Sequence, residues 1–549
     1  MKHQYQNPII PGFSPDPSIC RCGEDYYIAT SSFEWFPGIP VYHSKDLLNW
    51  SLKTYIVTNP EDVNLRYIES AKGLWAPCLR YDDVEEQFTL CYNVMHSMNA
   101  RFFDVDNYMM TAKHIDGPWS KPIFLHSAGF DGSMFRDDDG RKWFLSMEWE
   151  TRDGYHKPGV ICMVEYDDKN ECIIGYPKRI FSGATTRGCI EGPHIYKRNG
   201  YYYLMCAEGG TGYGHAVTMA RSKDIWGPYE PDPKGAVLTS CEEFDEMDND
   251  ESRKLNRFNP NVVLQKAGHG SIVETPQGEV YMAYHVGRPL LPNLCCTLGR
   301  ETCIQKMKWT EDGWLCKAEG EDAFATVEIT PPSLPIGEPI PKSKRYDLND
   351  NCLPIDFSTP RIASSLFTKV ADNKINVKGN ESLSSCHEVS YLGRKLTSLH
   401  ASFEARLSFT PDVYQQYAGV CIYYDQMDYL LLRKTWSDED NAVVLDVLKV
   451  ENGERKEFPN SKILAPVGDI TMKVAVQGME TQMYWRTDNT AFTPIGDPVP
   501  THHYSDEYCK AGEFTGTTVG MYAVDALLHK KTAQFDNIVY NVQEENKQV

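Results

Sequence analysis

No stretch of this 549-residue sequence is apolar for long enough to span a bilayer, and the opening MKHQYQNPII lacks the hydrophobic segment of a secretion signal. A cytoplasmic protein is expected, although a secreted chain trimmed of its signal would read the same. Positive charge is scarce: 55 Lys and Arg face 76 Asp and Glu, a formal net charge of −21. No basic block or stripe offsets it, which argues against nucleic acid and anionic membranes as partners. The 17 cysteines are odd in number and contain no C-x-x-C pair; Cys20/Cys22 and Cys295/Cys296 stand alone, without a second pair at zinc-site spacing. Reduced, mostly buried thiols are expected. Long amphipathic helical patterns are missing as well. The acidic stretch from Glu242 to Glu251, EEFDEMDNDE, reads as a solvated loop.

Aromatic residues, by contrast, are plentiful: 32 Tyr, 22 Phe and 11 Trp, types that favour strands and stack on sugar rings. The chain is too long for one hydrophobic core, so at least two domains are expected. Five aromatic or β-branched runs recur: DYYIATS from Asp25, QFTLCYN from Gln87, KWFLSME from Lys142, YYYLMCA from Tyr201 and VYMAYHV from Val280. Their spacing is that of four-stranded propeller blades. Turn pairs precede three of them, at Asp139-Gly140, Asn199-Gly200 and Gln277-Gly278. The fold class expected is all-β. A five-bladed β-propeller fills residues 1–328, a Pro-rich linker follows at 329–348, and a β-sandwich fills 349–549.

Ten to twelve residues ahead of each run lies a short segment ending in a small or turn residue and then an apolar one. These positions hold Asp16, Trp75-Ala76, Asp131, Glu191 and His269. If each segment is the innermost strand of its blade, three carboxylates, a Trp and a His converge at one end of the channel. Taken singly, each has an ordinary structural explanation: Asp16, Asp131 and Glu191 stand before Pro or Gly in turn-like sequence, Trp75 suits a core, and His269 suits a satisfied core histidine. Their shared phase argues otherwise, because a core would not collect uncompensated charge. Clustered acids among aromatics suit glycosidic cleavage, with one acid protonated, one ionised, and a third able to raise the pKa of the acid. A metal site is the rival use, though calcium wants more oxygens than these three supply.

The stretch NPIIPGFSPDPSICRCGEDYYIATSSFEWFPGIPVYHSKDL closely resembles the β-xylosidases and α-L-arabinofuranosidases of glycoside hydrolase family 43. The similarity continues through KGLWAPCLRYD, FDGSMFRDDDG, IEGPHIYKRNGYYYLMCAEGGT, KAGHGSIVET and LGRETCIQKMKW. The resemblance implies an inverting enzyme with Asp16 as general base, Glu191 as general acid, and Asp131 orienting Glu191 and holding its pKa up. Inversion implies carboxyls about 6.5–9.5 Å apart, with room for water. It further implies that Arg300 reads sugar hydroxyls and that Phe33, Trp75 and Ala76 line the terminal-sugar pocket. His269 would face the channel, where some members hold a metal or water. No cofactor is required, and a channel calcium near His269 is the one ion the resemblance admits. The sandwich is expected to insert a loop aromatic, Phe514, which closes the pocket to all but chain ends.

The expected substrates are therefore short xylo- or arabino-oligosaccharides attacked from the end, terminal β-D-xylose first. An α-L-arabinofuranosidase is the main alternative. A fructan-cleaving enzyme would carry an N-D-P-N-G stretch, which is missing, and a silent sugar-binding propeller would have lost a carboxylate. The acidic segment from Cys241 to Phe258 bears on aglycone choice if it lies at the pocket mouth. Whether the protein self-associates is left open by the sequence.

Overall fold

The computed structural model describes residues 5–152, 159–244, 257–458, 461–488, 490–511 and 514–543. Among them the only helix is three single 3-10 turns, at Asn99–Arg101, Ser364–Leu366 and Thr501–His503. The protein is all-β, a five-bladed propeller followed by a concanavalin A-like sandwich.

Each aromatic run of the sequence becomes the second strand of an antiparallel blade, four-stranded except in blade 4, where Leu238–Thr239 adds a short fifth strand. In blade 1 the strands are Ser18–Cys22, Asp25–Ala29, Gly38–Ser44 and Ser51–Val57, in that spatial order. Blades 2 and 3 open with Gly73–Asp82 and Phe130–Arg136, and blades 4 and 5 with Glu191–Arg198 and Gln265–Glu274. These first strands neighbour one another around the ring, so they line the channel. The second strands are buried from both sides, with Ile28, Leu90, Leu145, Leu204 and Met282 fully enclosed, which explains their continuous apolar character. The N-terminal segment closes the ring against blade 5. Asn7 exchanges side-chain hydrogen bonds with the Ile304 backbone, at 2.9 Å to its carbonyl and 2.8 Å from its amide, and Ile10 pairs with Thr302.

After blade 5 the chain runs along the propeller flank. Thr330 accepts from the Tyr281 hydroxyl (3.0 Å), Ser333 donates its amide to Glu279 (2.8 Å), and Gly337 donates to Asp46 (2.9 Å). The sandwich then forms from two antiparallel sheets. One contains His400–Ser408, Ile470–Gln477 and Thr532–Val542; the other contains Tyr391–Lys395, Thr518–Asp525, Gln416–Asp425, Asp428–Ser437 and Ala442–Glu451. Val420, Ile422, Phe403, Met472 and Phe535 pack between the sheets. Residues of opposite phase on the second sheet, Cys421, Tyr423, Tyr391 and Tyr522, pack with Phe13, Phe33 and Trp35 of the propeller. That sheet is thus buried on both faces, and the domains share a continuous apolar contact.

Candidate active site

The five innermost strands share a local irregularity that builds the site. In four of them the pairing with the second strand slips by one residue: between Trp75 and Cys78, Phe130 and Ser133, Glu191 and His194, and Gly268 and Ser271. The slips are β-bulges, and the bulged residue adopts a left-handed backbone: Ala76 (φ 37°), Asp131 (57°), Gly192 (58°) and His269 (51°), with Asp16 (55°) in the corresponding place before blade 1. A left-handed Asp or His is strained, and such strain concentrates at functional sites. Asp16, Asp131 and His269 are therefore in phase, as the sequence spacing suggests. Glu191 stands one residue ahead of its bulge, where Gly192 takes the left-handed position. Trp75 shares the phase of Glu191 and Ala76 that of Asp16, so the matching of all five positions is corrected by one residue at blade 4.

The sequence reading missed what satisfies these bulges. Ser31 Oγ accepts the Ala76 N–H at 2.7 Å, Asn93 Oδ1 accepts that of Asp131 at 3.1 Å, and His285 Nδ1 accepts that of Asp16 at 3.0 Å. Each supporting group ends or nearly ends an aromatic run, so blades 1, 2 and 5 each prop the bulge of the next. The terminal polar residue of DYYIATS, QFTLCYN and VYMAYHV was the available signal. Between blades 3 and 4 the catalytic candidate takes this part itself, with Asp131 Oδ2 accepting the Gly192 N–H at 3.0 Å. Because His285 Nδ1 accepts, its ring proton lies on Nε2, 3.0 Å from His215 Nδ1. Burial first, then the charge of Arg300, pushes His285 down to about 3, so this pair of rings stays neutral.

Asp16 is buried. Its Oδ1 accepts from Arg300 Nη1 at 3.0 Å and lies 3.5 Å from His269 Nδ1, while its Oδ2 accepts from Ser31 Oγ. Burial alone would raise its pKa, but the Arg300 guanidinium, with His269 beside it, outweighs that and holds the carboxyl well below the usual range. Glu191, also buried, goes the opposite way. Burial, reinforced by the Asp16 charge and opposed by Arg300, pushes it up to about 8. Asp131 is pushed up to about 7 by burial, with His269 opposing and Glu191 and Asp16 adding. Near neutrality Asp131 carries only part of a charge, so Asp16 is the full anion acting on Glu191.

Aromatic rings wall this mouth. Trp75, fixed by its Nε1–H to the Ala71 carbonyl (2.9 Å), meets Phe33 at 6.4 Å, Phe130 at 5.8 Å and Phe514 at 5.4 Å between centroids. Phe130 extends the wall to Phe103 and Trp149, which the sequence reading did not select. Half-buried Phe514 comes from the sandwich. Its carbonyl accepts from Arg300 Nη2 at 3.3 Å, and its ring lies 5.7 Å from that guanidinium carbon. Glycine allows this approach: a Cβ on Gly516 would lie 2.3 Å from that of Phe13. Lys266 of blade 5 pairs with Glu507 and lies 3.5 Å from Asp506, tying the segment before Phe514 to the propeller. Of the acidic segment from Cys241 to Phe258, residues 245–256 lie outside the described residues.

Beside His269 lie the Asp16 carboxylate and the His285 ring. That carboxylate is engaged by Arg300 and lies 3.3 Å from His285 Nδ1, so a calcium here would draw its six to eight oxygens largely from water. Among the described residues the one trio of acids, histidines or cysteines with all donor atoms within 4.8 Å of one another lies elsewhere, at Asp425, Asp428 and Cys509.

Comparison with known proteins agrees with this geometry. The family model for Glycosyl hydrolases family 43 matches residues 5–315, and that for the Beta xylosidase C-terminal Concanavalin A-like domain matches 345–541. The chain is 38% identical to Xylosidase/arabinosidase 43B of Humicola insolens, covering 98% of this chain and 97% of that protein. It is 38% identical to a Beta-xylosidase of Bacillus subtilis (strain 168), covering 94% and 96%. The crystal structure of xylan beta-1,4-xylosidase from Bacillus halodurans C-125 superposes with a TM-score of 0.90 at 41% identity, over 98% of this chain and 100% of that one. A propeller mouth that holds one carboxyl ionised and another protonated, closed by a C-terminal sandwich, is thus that of a glycoside hydrolase, and the chain belongs to glycosyl hydrolases family 43.

Proposed function

We propose that this enzyme removes terminal β-D-xylose from short xylo-oligosaccharides with inversion. Asp16 is the general base, Glu191 the general acid, and Asp131 sets the position and charge environment of Glu191. The observation that carries the reading is the opposite displacement of two carboxyls that share one channel mouth. Asp16, ionised at any working pH, takes a proton from water as the water attacks the anomeric carbon. Glu191, still protonated near neutrality, gives its proton to the departing glycosidic oxygen. Each Arg300 Nη engaged by Asp16 or Phe514 keeps a second hydrogen for a sugar hydroxyl. Phe33, Trp75, Ala76 and Phe514 supply the faces a pyranose stacks on, and His269 borders the base.

Exo action is supported by Phe514, which narrows the mouth from the sandwich side. Xylose is placed first because the relatives above are named for xylosidase activity; one of them is named for arabinosidase as well, which supports a secondary α-L-arabinofuranosidase activity. Parallel assays on the nitrophenyl β-D-xyloside and α-L-arabinofuranoside, with NMR of the anomer first released, test both points. The xyloside should be turned over faster and should release α-xylose. Faster arabinoside turnover, or initial release of β-xylose, would refute the corresponding part.

A further inference from the structure

On the sandwich, far along the chain from the catalytic acids, two strands meet at a tight turn: Gln416–Asp425 and Asp428–Ser437. The residues flanking the turn are both aspartates, exposed by 0% and 1%, and Cys509 of the following loop, exposed by 5%, lies against them. One donor atom from each falls within 4.8 Å of the others.

Several observations set this cluster apart from an ordinary core contact. The backbone orients one oxygen of each carboxylate: Asp425 Oδ1 accepts the Met427 N–H at 2.7 Å, and Asp428 Oδ1 accepts the Asn452 N–H at 2.8 Å. Asp425 Oδ2 is buried with no hydrogen-bond partner, and the buried Asp428 carboxyl has the Cys509 thiol as a hydrogen-bonding neighbour. Tyr504 Oη, on a side chain 1% exposed and close enough to feel the charges of Cys509 and Asp428, is buried and unpartnered too. Basic charge is sparse around them: Lys449 acts on Asp428 from a distance. Glu34 of the propeller faces Asp425, and Glu451 faces Asp428; the one nearby amine, Lys449, is engaged by Glu451. Two adjacent buried carboxylates in such surroundings are costly without a cation or a shared proton.

We propose that Asp425, Asp428 and Cys509 bind a zinc ion that fastens the 504–511 segment to the sandwich. The donor set selects the metal, since thiolate with carboxylate suits zinc, whereas calcium and magnesium prefer oxygens alone. Bonds of about 2.0–2.3 Å place tetrahedral donors about 3.5 Å apart, and the donor atoms here all lie within 4.8 Å of one another. Tyr504 Oη or a water completes the four. The backbone amides on Asp425 Oδ1 and Asp428 Oδ1 are the orienting contacts such ligands need. Cys509 now donates its thiol hydrogen to the His503 carbonyl (3.2 Å). Binding breaks that S–H bond, forms the sulfur–zinc bond and releases the proton to solvent. The segment so fastened leads directly to Phe514, and on its way Asp506 accepts from the Tyr424 hydroxyl.

The test uses the full-length protein, stripped by chelator and then reloaded with zinc or cobalt. One zinc per chain should survive dialysis, chelation should lower Tm reversibly, and amide exchange across 504–511 should quicken when the metal is removed. The cobalt form should show a sulfur-to-metal charge-transfer band in the near ultraviolet, lost in Cys509→Ser. Asp425→Asn should weaken zinc binding by about tenfold or more. Should Cys509→Ser fail to fold, the wild-type cobalt spectrum still decides. A metal-free protein whose Tm ignores zinc and chelator, together with an Asp425→Asn variant at least as stable as wild type, would overturn the site in favour of a shared proton.

Discussion

Asp16 and Glu191 are both buried carboxyls, yet a guanidinium touches one and not the other, and this contact displaces their pKa values in opposite directions. Glu191, displaced to about 8, keeps its proton in the folded protein through a range where the unfolded chain, near 4.5, has lost it. Its pKa is raised on folding, so its contribution to stability is complete below about 4.5 and is lost as pH climbs through 8. Glu191→Gln removes that titration. Its Tm should therefore gain on wild type as pH rises across this window, while turnover of xylobiose falls by at least about 10³-fold. A Tm difference that stays constant with pH would refute the displaced carboxyl. Asp131 tests the neighbouring charge. The Glu191 charge adds to the rise at Asp131, and Asp131→Asn keeps an oxygen for the Gly192 amide while removing the charge. The basic limb of kcat/KM should move to lower pH. An unmoved limb would mean that Asp131 acts solely through Gly192.

The element that makes the site is the bulged innermost strand. Gly192 is the bulge residue of blade 4, and a Cβ there would lie 3.1 Å from His269 Nε2 on a left-handed backbone. Gly192→Ala should cost about 1 kcal/mol of stability or more and lower kcat by tilting Glu191 and displacing His269, as calorimetry and steady-state rates would show. Wild-type kcat in a folded variant would show that blade 4 has slack. The bulges also explain how far the sequence could be read. Blade number was legible because every second strand is buried on both faces and writes itself as an aromatic run. Asp16, Asp131 and His269 were legible because bulged residues repeat with the blade. The offset of Glu191 was not, since a one-residue shift in pairing leaves no mark on spacing. Nor were Ser31, Asn93 and His285, whose partners belong to neighbouring blades hundreds of residues or only a few tens away. The doubly buried sheet of the sandwich was visible in YAGVCIYYD as continuous hydrophobicity, but not what its outer face covers.

That outer face packs the two domains against each other. Tyr391 and Tyr423 meet Trp35 at 5.9 and 6.0 Å between centroids, and the contact continues to Phe13 and Phe33 beside the pocket. A propeller cut after residue 328 would expose these rings, so insolubility or loss of activity is expected from it. Truncation alone cannot separate folding from catalysis, and Phe514→Ala does so more cleanly. Phe514 is half-buried and adds its ring, not its fold, to the mouth; its carbonyl, which holds Arg300, survives in the variant. The ring contributes an edge contact to Trp75 and lies beside the Arg300 guanidinium, interactions each worth about 0.5–1.5 kcal/mol, and it shields the sugar from water. Removing it should raise KM for xylobiose by about tenfold, with a smaller change in kcat, because the acids are untouched. The change in Tm should be small, since Lys266 still pairs with Glu507 and Gly516 still packs on Phe13. A KM equal to wild type in a stable Phe514→Ala protein would show that the sandwich supports the propeller without shaping the pocket.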